Sequence, residues 1–451
     1  MPGPGGCETL LEAAAALAAG RISSEDMVAD ALAAIERLNP RLGAVTDLTA
    51  SSALREARAA DSRRASAAAR GPLDGIPIVI KECIDTKGAV CSDGLPFLAD
   101  YRPAADAVAV RRLRRAGAVI LGVSATDPGT FGVRTPAVTH PQAPGITVGG
   151  SSGGSAAALA AGLCLAALGT DTGGSIRIPA ACCLVAGLKP TYGRVSRQGV
   201  RPLAPSADHV GPMARRAADL GAVAAALDRG FARTAKRQPQ GAPKIGLAPA
   251  YWRDAAPEIG EGMTDALGAA RRLGSEFCDV TLPSLEVFLD VHAAILAAES
   301  AAYHFAAFPD KLDVYQPLAR SLFDTARRQR GYEYVTACAR RDDACRAVNA
   351  VFRKVDLLLL PTLAVTPPLR DAETVRVGGI DRDFTWALVR YTALFDHTGH
   401  PAVSLPARVI APGVGASVQI VGGRHRDGEV LAFAEALERE LALAIDWTVR
   451  A

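Results

Sequence analysis

Gly149-Gly-Ser-Ser-Gly-Gly-Ser155 and Gly169-Thr-Asp-Thr-Gly-Gly-Ser-Ile-Arg-Ile-Pro179 flank an uncharged, alanine-rich run, Ala156 to Leu168. Glycine lets a backbone approach a ligand closely because no Cβ intervenes. Successive N–H groups in such turns also form concavities that suit an anion. A flexible Gly/Ser linker would explain one of these loops. It would not explain the apolar run between two of them, nor Asp171, Arg177 and Pro179 crowded around the second serine. The run has the length of a buried core helix that could hold two reactive loops rigidly apart. With one well-placed lysine upstream, residues 149–179 point to acyl chemistry, and the rest of the chain is read as their support.

Working outward, Cys7 to Ala19 and Ser23 to Leu38 pattern as amphipathic helices, with Ser23 or Ser24 as N-cap and Asn39-Pro40 as the stop. Ala50 to Arg70 reads as a third helix. Pro72-Leu-Asp-Gly-Ile-Pro-Ile-Val-Ile-Lys81 is a turn followed by a β-branched apolar run, the mark of a buried strand. A basic helix, Asp106 to Ala116, leads into the strand Ala118 to Gly122, and that alternation is α/β. Ser124 to Val148 has no periodicity, and loops of such length are usually functional. Further on, Leu184 to Val195 reads as strand and turn, and Ala214 to Ala226 as a helix. The polar stretch Thr234 to Pro243 reads as a surface loop or boundary. Lys244 to Ala248 and Val355 to Pro361 are strands with mainly helical sequence between them; Pro401 to Pro406 and Gly415 to Gly422 add two more, and Glu429 to Leu443 closes with a helix.

The chain of 451 residues is 49% hydrophobic and 22% charged, enough to bury a sizeable core. A net charge of +3 and an aromatic content of 5% argue against a nucleic-acid partner. The nine cysteines show no C-x-x-C and the seven histidines no H-E-x-x-H, so no metal is expected. Odd in number and irregularly spaced, with Cys164, Cys182 and Cys183 in apolar context, the cysteines fit a reducing cytoplasm. The N-terminus lacks a basic n-region before its alanines, and no stretch reaches about 18 apolar residues, Ala156 to Gly169 being the nearest candidate, so neither export nor a membrane is expected.

Lys81 ends the run Ile76 to Ile80, so its ammonium enters a poorly hydrated interior. Burial disfavours the charged form of a lysine, and a neutral amine can serve as general base to a serine. A lysine snorkelling from a strand end is the plainer reading of that position alone. Ser151, Ser152, Ser155 and Ser175 are the candidate nucleophiles. Both overlapping G-x-S-x-G matches in 149–154 admit an α/β-hydrolase-type esterase, with His397, His400 or His425 as base and Asp356 as acid. That arrangement leaves Asp171 to Ser175 without a part. A phosphate loop is excluded because no G-K-[ST] follows the glycines.

Four segments taken together resemble the amidase signature family: Gly75 to Lys81, Gly149 to Ser155, Gly169 to Pro179, and Gly187-Leu-Lys-Pro-Thr-Tyr-Gly-Arg194. The likeness is dense over 72–215 and returns near 355–435, where Leu360-Pro-Thr362 and Gly399-His-Pro-Ala-Val-Ser404 fit the usual ending. It implies an α/β fold in one large domain over 1–451, with a mixed central β-sheet sandwiched between helices. Within that domain, 72–215 forms the core carrying the catalytic loops and 245–355 a mainly helical excursion that shapes the pocket. By the same resemblance Ser175 is the nucleophile, Ser151 a bridging serine with a cis peptide, and Lys81 the base. Thr172, Gly173 and Gly174 supply the oxyanion hole, and Ser152, Asp171 and Arg177 support it, the last two pairing to brace the loop. No cofactor is implied. The implied substrate is a small linear amide or ureido compound, and the overall layout, including Ser206 to Pro212, is similar to that of amidases acting on carboxybiuret-like compounds. The glutamine-hydrolysing subunit of a tRNA-dependent amidotransferase shares the motifs and stays open as an alternative, as does assembly as a homodimer. Three features depart from the family pattern: Val148 where proline is frequent, Cys183-Leu184 where Cys-Gly is common, and the loop 124–148.

Overall fold

The computed structural model describes residues 3–228, 230, 231 and 241–450. After strand β1 (Val45–Leu48), the apolar run before Lys81 becomes strand β2 (Pro77–Lys81), buried at every position. On its two sides lie β3 (Val119–Ser124) and β4 (Ala166–Asp171), both parallel to it. Strands covered on both faces need no polar alternation, which is why 76–80 is uniformly apolar. Next to β4 runs β6 (His209–Ala214), antiparallel, followed by β5 (Ala186–Lys189). From there the sheet crosses to β12 (Ala402–Ala411) and β13 (Val414–Gly422), then to β9 (Leu357–Pro361), β7 (Lys244–Leu247) and β8 (Glu276–Asp279). The result is an 11-stranded mixed sheet in the order β1-β3-β2-β4-β6-β5-β12-β13-β9-β7-β8. A small separate hairpin pairs β10 (Thr374–Val377) with β11 (Ile380–Asp383).

Alternation along each strand sends successive side chains to opposite faces, and the core divides accordingly. Ile78, Ile80, Leu357 and Leu359 join one cluster with Leu113, Leu220, Met263 and Leu437, from helices Val108–Arg115, Ala217–Leu227, Pro257–Arg272 and Asp427–Leu441. Val79 faces the other way, onto Val28, Ala57 and Leu159 of helices Ser24–Leu42, Ala50–Ala65 and Gly153–Ala160. On that same second face, Leu358 and Leu360 meet Ile295 and Val348 of helices Leu285–Ala307 and Gly331–Val351. The expected architecture, a mixed sheet between two helical layers, is the observed one.

Several local readings are corrected. Ala156 to Leu168 is not one helix. The helix Gly153–Ala160 stops at Gly162, whose φ of 71° ends it in the left-handed region, and the remaining residues extend as β4 between β2 and β6. Nor does Asn39-Pro40 stop its helix, which runs to Leu42 and is capped by Gly43 at φ 64°. Burial of Leu42, and the bonds of the Asn39 side chain to the amide and carbonyl of Val45, hold that last turn in place. The third helix ends at Ala65 rather than Arg70. Strand β8 stands where helix is expected, and β6 takes up Ala214, expected as the first helical residue, because both strands are short and carry no alternating pattern. Most of the stretch Thr234 to Pro243 lies outside the described residues.

Candidate active site

Lys81 is fully buried at the end of β2, and its Nζ lies 2.6 Å from Ser151 Oγ and 2.7 Å from Thr170 Oγ1. Thr170 belongs to β4, the parallel neighbour of β2, so the sheet itself delivers the second hydroxyl. Both partners are neutral. Burial therefore dominates and moves the Lys81 amine below its ordinary value, against the weaker pull of more distant acidic groups. Glu82, next in sequence, faces away from Lys81. Its carboxylate accepts hydrogen bonds from the Thr126 amide (3.0 Å), Ser92 Oγ (2.8 Å) and Thr46 Oγ1 (3.1 Å).

The Gly150–Ser151 peptide bond is cis. The Ser151 carbonyl accepts from Thr126 Oγ1 (2.9 Å), the Asp127 amide (3.1 Å) and Thr135 Oγ1 (3.3 Å). All three donors come from the aperiodic loop 124–148, so that loop positions the serine that faces Lys81. Ser152 ties the two glycine loops together: its amide donates to the Ser175 carbonyl (3.1 Å) and its hydroxyl to the Thr170 carbonyl (3.2 Å). Ser155 pairs with Ser124 (2.8 Å).

Ser175 sits in the loop between β4 and the short helix Arg177–Cys182, and it keeps 7% of its surface accessible. Its hydroxyl has no hydrogen-bond partner among the described residues. Asp171, at the end of β4, organises this loop. Its carboxylate accepts from the amides of Gly174 (2.6 Å), Ile176 (3.1 Å) and Arg177 (3.3 Å), and from the Arg177 guanidinium in a bidentate pair (3.0 and 3.1 Å). Arg177 also reaches Asp396 (2.6 Å), Gln419 (3.1 Å) and the Thr392 carbonyl (3.0 Å). Burial alone would raise both carboxyl groups. For Asp171 the Arg177 contact reverses this and holds it low, whereas Asp396 stays well above its ordinary value, pushed by burial and by the Asp171 charge. Arg177 thus meets one carboxyl group held low and one pushed high, the opposite shifts that two like charges at close range impose on each other.

Of the amides expected to form an oxyanion hole, that of Gly174 is already engaged by Asp171. Those of Thr172 and Gly173, together with that of Ser175, have no partner among the described residues. The Gly173 carbonyl is fixed by Thr392 Oγ1 (2.5 Å). Gly174 has φ 133°, and a Cβ there would lie 2.3 Å from Thr392 Oγ1.

The esterase arrangement finds no histidine. His397 bonds to His292 (2.8 Å), His400 to Thr398 (2.9 Å) and Asn349 (3.2 Å), and His425 is exposed. Asp356 is taken up by Arg426 (3.2 Å). No group of three or more metal-binding side chains occurs among the described residues. Sequence reasoning missed Thr126, Thr135, Thr170, Thr392 and Asp396. Thr170 lies inside a quoted motif and was within reach. The others act across loops or from more than two hundred residues away.

Across residues 26–431 the chain matches the family model described as Amidase. The chain belongs to the amidase family. Among relatives of this amidase, AmiD of Mycobacterium tuberculosis (strain ATCC 25618 / H37Rv), named as an amidase, is 36% identical over 440 residues, covering 94% of this chain and 92% of AmiD. The glutamyl-tRNA(Gln) amidotransferase protein of Myxococcus xanthus (strain DK1622), one subunit of that enzyme, is 34% identical, with 96% and 97% covered. A solved chain from a vestigial protein complex bearing on the origins of an s-triazine catabolic enzyme superposes with a TM-score of 0.89 at 31% identity, covering 97% of this chain and 99% of that one. The native peptide amidase of Stenotrophomonas maltophilia superposes at 0.81 and 28%, with 96% and 97% covered. The amidase is therefore a hydrolase of amides with the amidase signature fold. None of its helices, among the described residues, is long and apolar enough to cross a membrane.

Proposed function

We propose that this amidase cleaves the C–N bond of a small linear amide or ureido compound through an acyl-enzyme on Ser175. Lys81, neutral when working, takes a proton from Ser151; Ser151 takes one from Ser175; and the Ser175 oxygen attacks the carbonyl carbon. The negative charge that forms on the carbonyl oxygen is met by the free amides of Thr172, Gly173 and Ser175, and one such donor is typically worth about 10²–10³ in rate. The C–N bond then breaks, the same chain returns a proton to the departing amine, and water releases the acid and restores Ser175. Asp171, Arg177 and Ser152 support the loop, and the helical stretch 245–355 shapes the pocket. The observation that supports this reading most is the 2.6 Å contact between Lys81 Nζ and Ser151 Oγ at a buried site whose near partners are uncharged. No cofactor enters the scheme. Nine free cysteines accord with a reducing cytoplasm as its working place.

A fluorophosphonate should label Ser175, and Ser175→Ala should abolish both labelling and amide hydrolysis while the protein stays folded. Labelling at Ser152 or Ser151 instead would overturn the scheme. A second reading, supported by the likeness to the glutamyl-tRNA(Gln) amidotransferase relative over nearly the whole chain, is glutamine hydrolysis that supplies ammonia to a partner. Turnover of glutamine but not of simple amides would favour it.

A further inference from the structure

The helix Leu285–Ala307 carries one side chain into the site that the scheme above leaves unused. His292, 8% exposed, lies directly over Gly173: a Cβ built on that glycine would be 2.9 Å from His292 Cε1 and 3.0 Å from Nε2. On the far side of the ring, His292 Nδ1 is 2.8 Å from His397 Nε2, with the rings edge to face at 82°.

That pair fixes the tautomers. His397 Nδ1 is buried and has no partner among the described residues. A proton there would be an orphaned buried N–H, which native structures avoid more strongly than an unmet acceptor. The His397 proton therefore sits on Nε2 and is donated to His292 Nδ1. The proton of His292 must then sit on Nε2, because the hydrogen bond at one ring nitrogen decides the state of the other. Burial keeps the ring neutral, with its pKa pushed down to about 4. Nε2 has no partner among the described residues, yet it is not sealed off as His397 Nδ1 is. It is a neutral, partly accessible N–H donor held against Gly173.

We propose that His292 contacts the substrate: its Nε2–H donates to a second carbonyl oxygen, beyond the scissile amide, and so selects dicarbonyl and ureido amides over plain aliphatic ones. The inference rests on the reading of the site given above. The oxyanion already has the free amides of Thr172, Gly173 and Ser175, so a further donor faces a different acceptor. A substrate with methylene there leaves a desolvated N–H unmet, and sites built around such a donor reject analogues that lack the acceptor. A neutral ring suits a neutral carbonyl better than a carboxylate.

Acetoacetamide and butanamide differ by one carbonyl oxygen in place of two hydrogens. The wild-type enzyme should favour acetoacetamide in kcat/KM. His292→Phe, which keeps bulk and loses the donor, should cut that preference by about tenfold or more, with acetoacetamide losing much more of its kcat/KM than butanamide. His292→Gln, which restores an N–H at similar reach, should recover part of it. Should neither compound turn over, their relative protection of Ser175 against the fluorophosphonate is compared by the same criterion. A folded His292→Phe enzyme with the preference intact, or with both substrates reduced alike, would overturn the role of His292 and leave the Ser175 scheme standing. Absence of any amide hydrolysis together with absence of Ser175 labelling would remove the scheme and the inference with it.

Discussion

Lys81 is where burial and chemistry depend on one another. Its amine is moved below its ordinary value, so over the window between that lowered pKa and the unfolded value of about 10.4, the unfolded chain holds a proton that the native chain lacks. Stability must therefore rise with pH across that window. Urea unfolding of wild type and Lys81→Met at two pH values inside it should show the difference moving in favour of wild type as pH rises. Hydrolysis by the wild type should likewise rise with pH through the lowered pKa. Lys81→Arg should not restore it, because guanidinium keeps its proton; a near-normal rate in a folded Lys81→Arg enzyme would show that Lys81 supplies only charge or packing. Thr170→Val removes one hydroxyl partner of the amine (2.7 Å). A neutral hydrogen bond is worth about 0.5–1.5 kcal/mol, so a several-fold fall in kcat with little change in KM is the expected kinetic result. The lysine and both serines were legible because each sits in a dense motif. Thr170 sits in the same motif, but its part depends on the parallel pairing of β2 with β4, which the linear order does not state.

The loop after β4 is held by its carboxylate as an element, and the two buried acids around Arg177 make opposite demands on it. Asp171 is ionised and accepts three backbone amides, so Asp171→Asn should cost about 3–5 kcal/mol, as broken buried pairs do, and should lower the melting temperature and the rate together. Asp396 is pushed up by burial and by the Asp171 charge and accepts no backbone amide among the described residues, so Asp396→Asn removes the weaker acid of the two and should change both far less. Equal damage from the two substitutions would mean that the charge has been assigned to the wrong acid. At Gly174, alanine would bring a Cβ against Thr392 in a left-handed backbone, and the variant should lose activity even where it remains folded. Leu184 is the converse case. It stands where the family commonly has glycine and adopts φ 54°. The left-handed conformation costs about 1–2 kcal/mol, but this leucine is fully buried, and removing a core leucine costs about 2–5 kcal/mol. Packing outweighs strain, so Leu184→Gly should destabilise. At this scale, long periodic helices and uniformly apolar strands could be read from the sequence. The turn at Gly162 could not, because an alanine-rich run is equally apolar as helix or strand until its neighbours are known.

At the scale of the molecule, the order of strands matters more than their number. β12 and β13 lie between β5 and β9, so the last strands in the sequence join the half of the sheet that carries Lys81 and Ser175 to the half built from 244–361. The braces of the nucleophile loop come from the same late region: Thr392, Asp396 and Gln419. Periodicity and motif spacing carry no record of such long-range closure. Family resemblance supplied the mixed sheet, while strand order and these braces required coordinates. A protein ending at residue 390 should therefore take no fluorophosphonate label at Ser175, although it contains Lys81, Ser151 and Ser175; labelling of that fragment would show that the N-terminal half assembles its site alone. The ribosome completes every reacting group before it reaches the residues that align them. On the proposed scheme the nascent chain holds Lys81, Ser151 and Ser175 through most of its synthesis and should stay inert until Thr392, Asp396 and Gln419 arrive to fix the nucleophile loop.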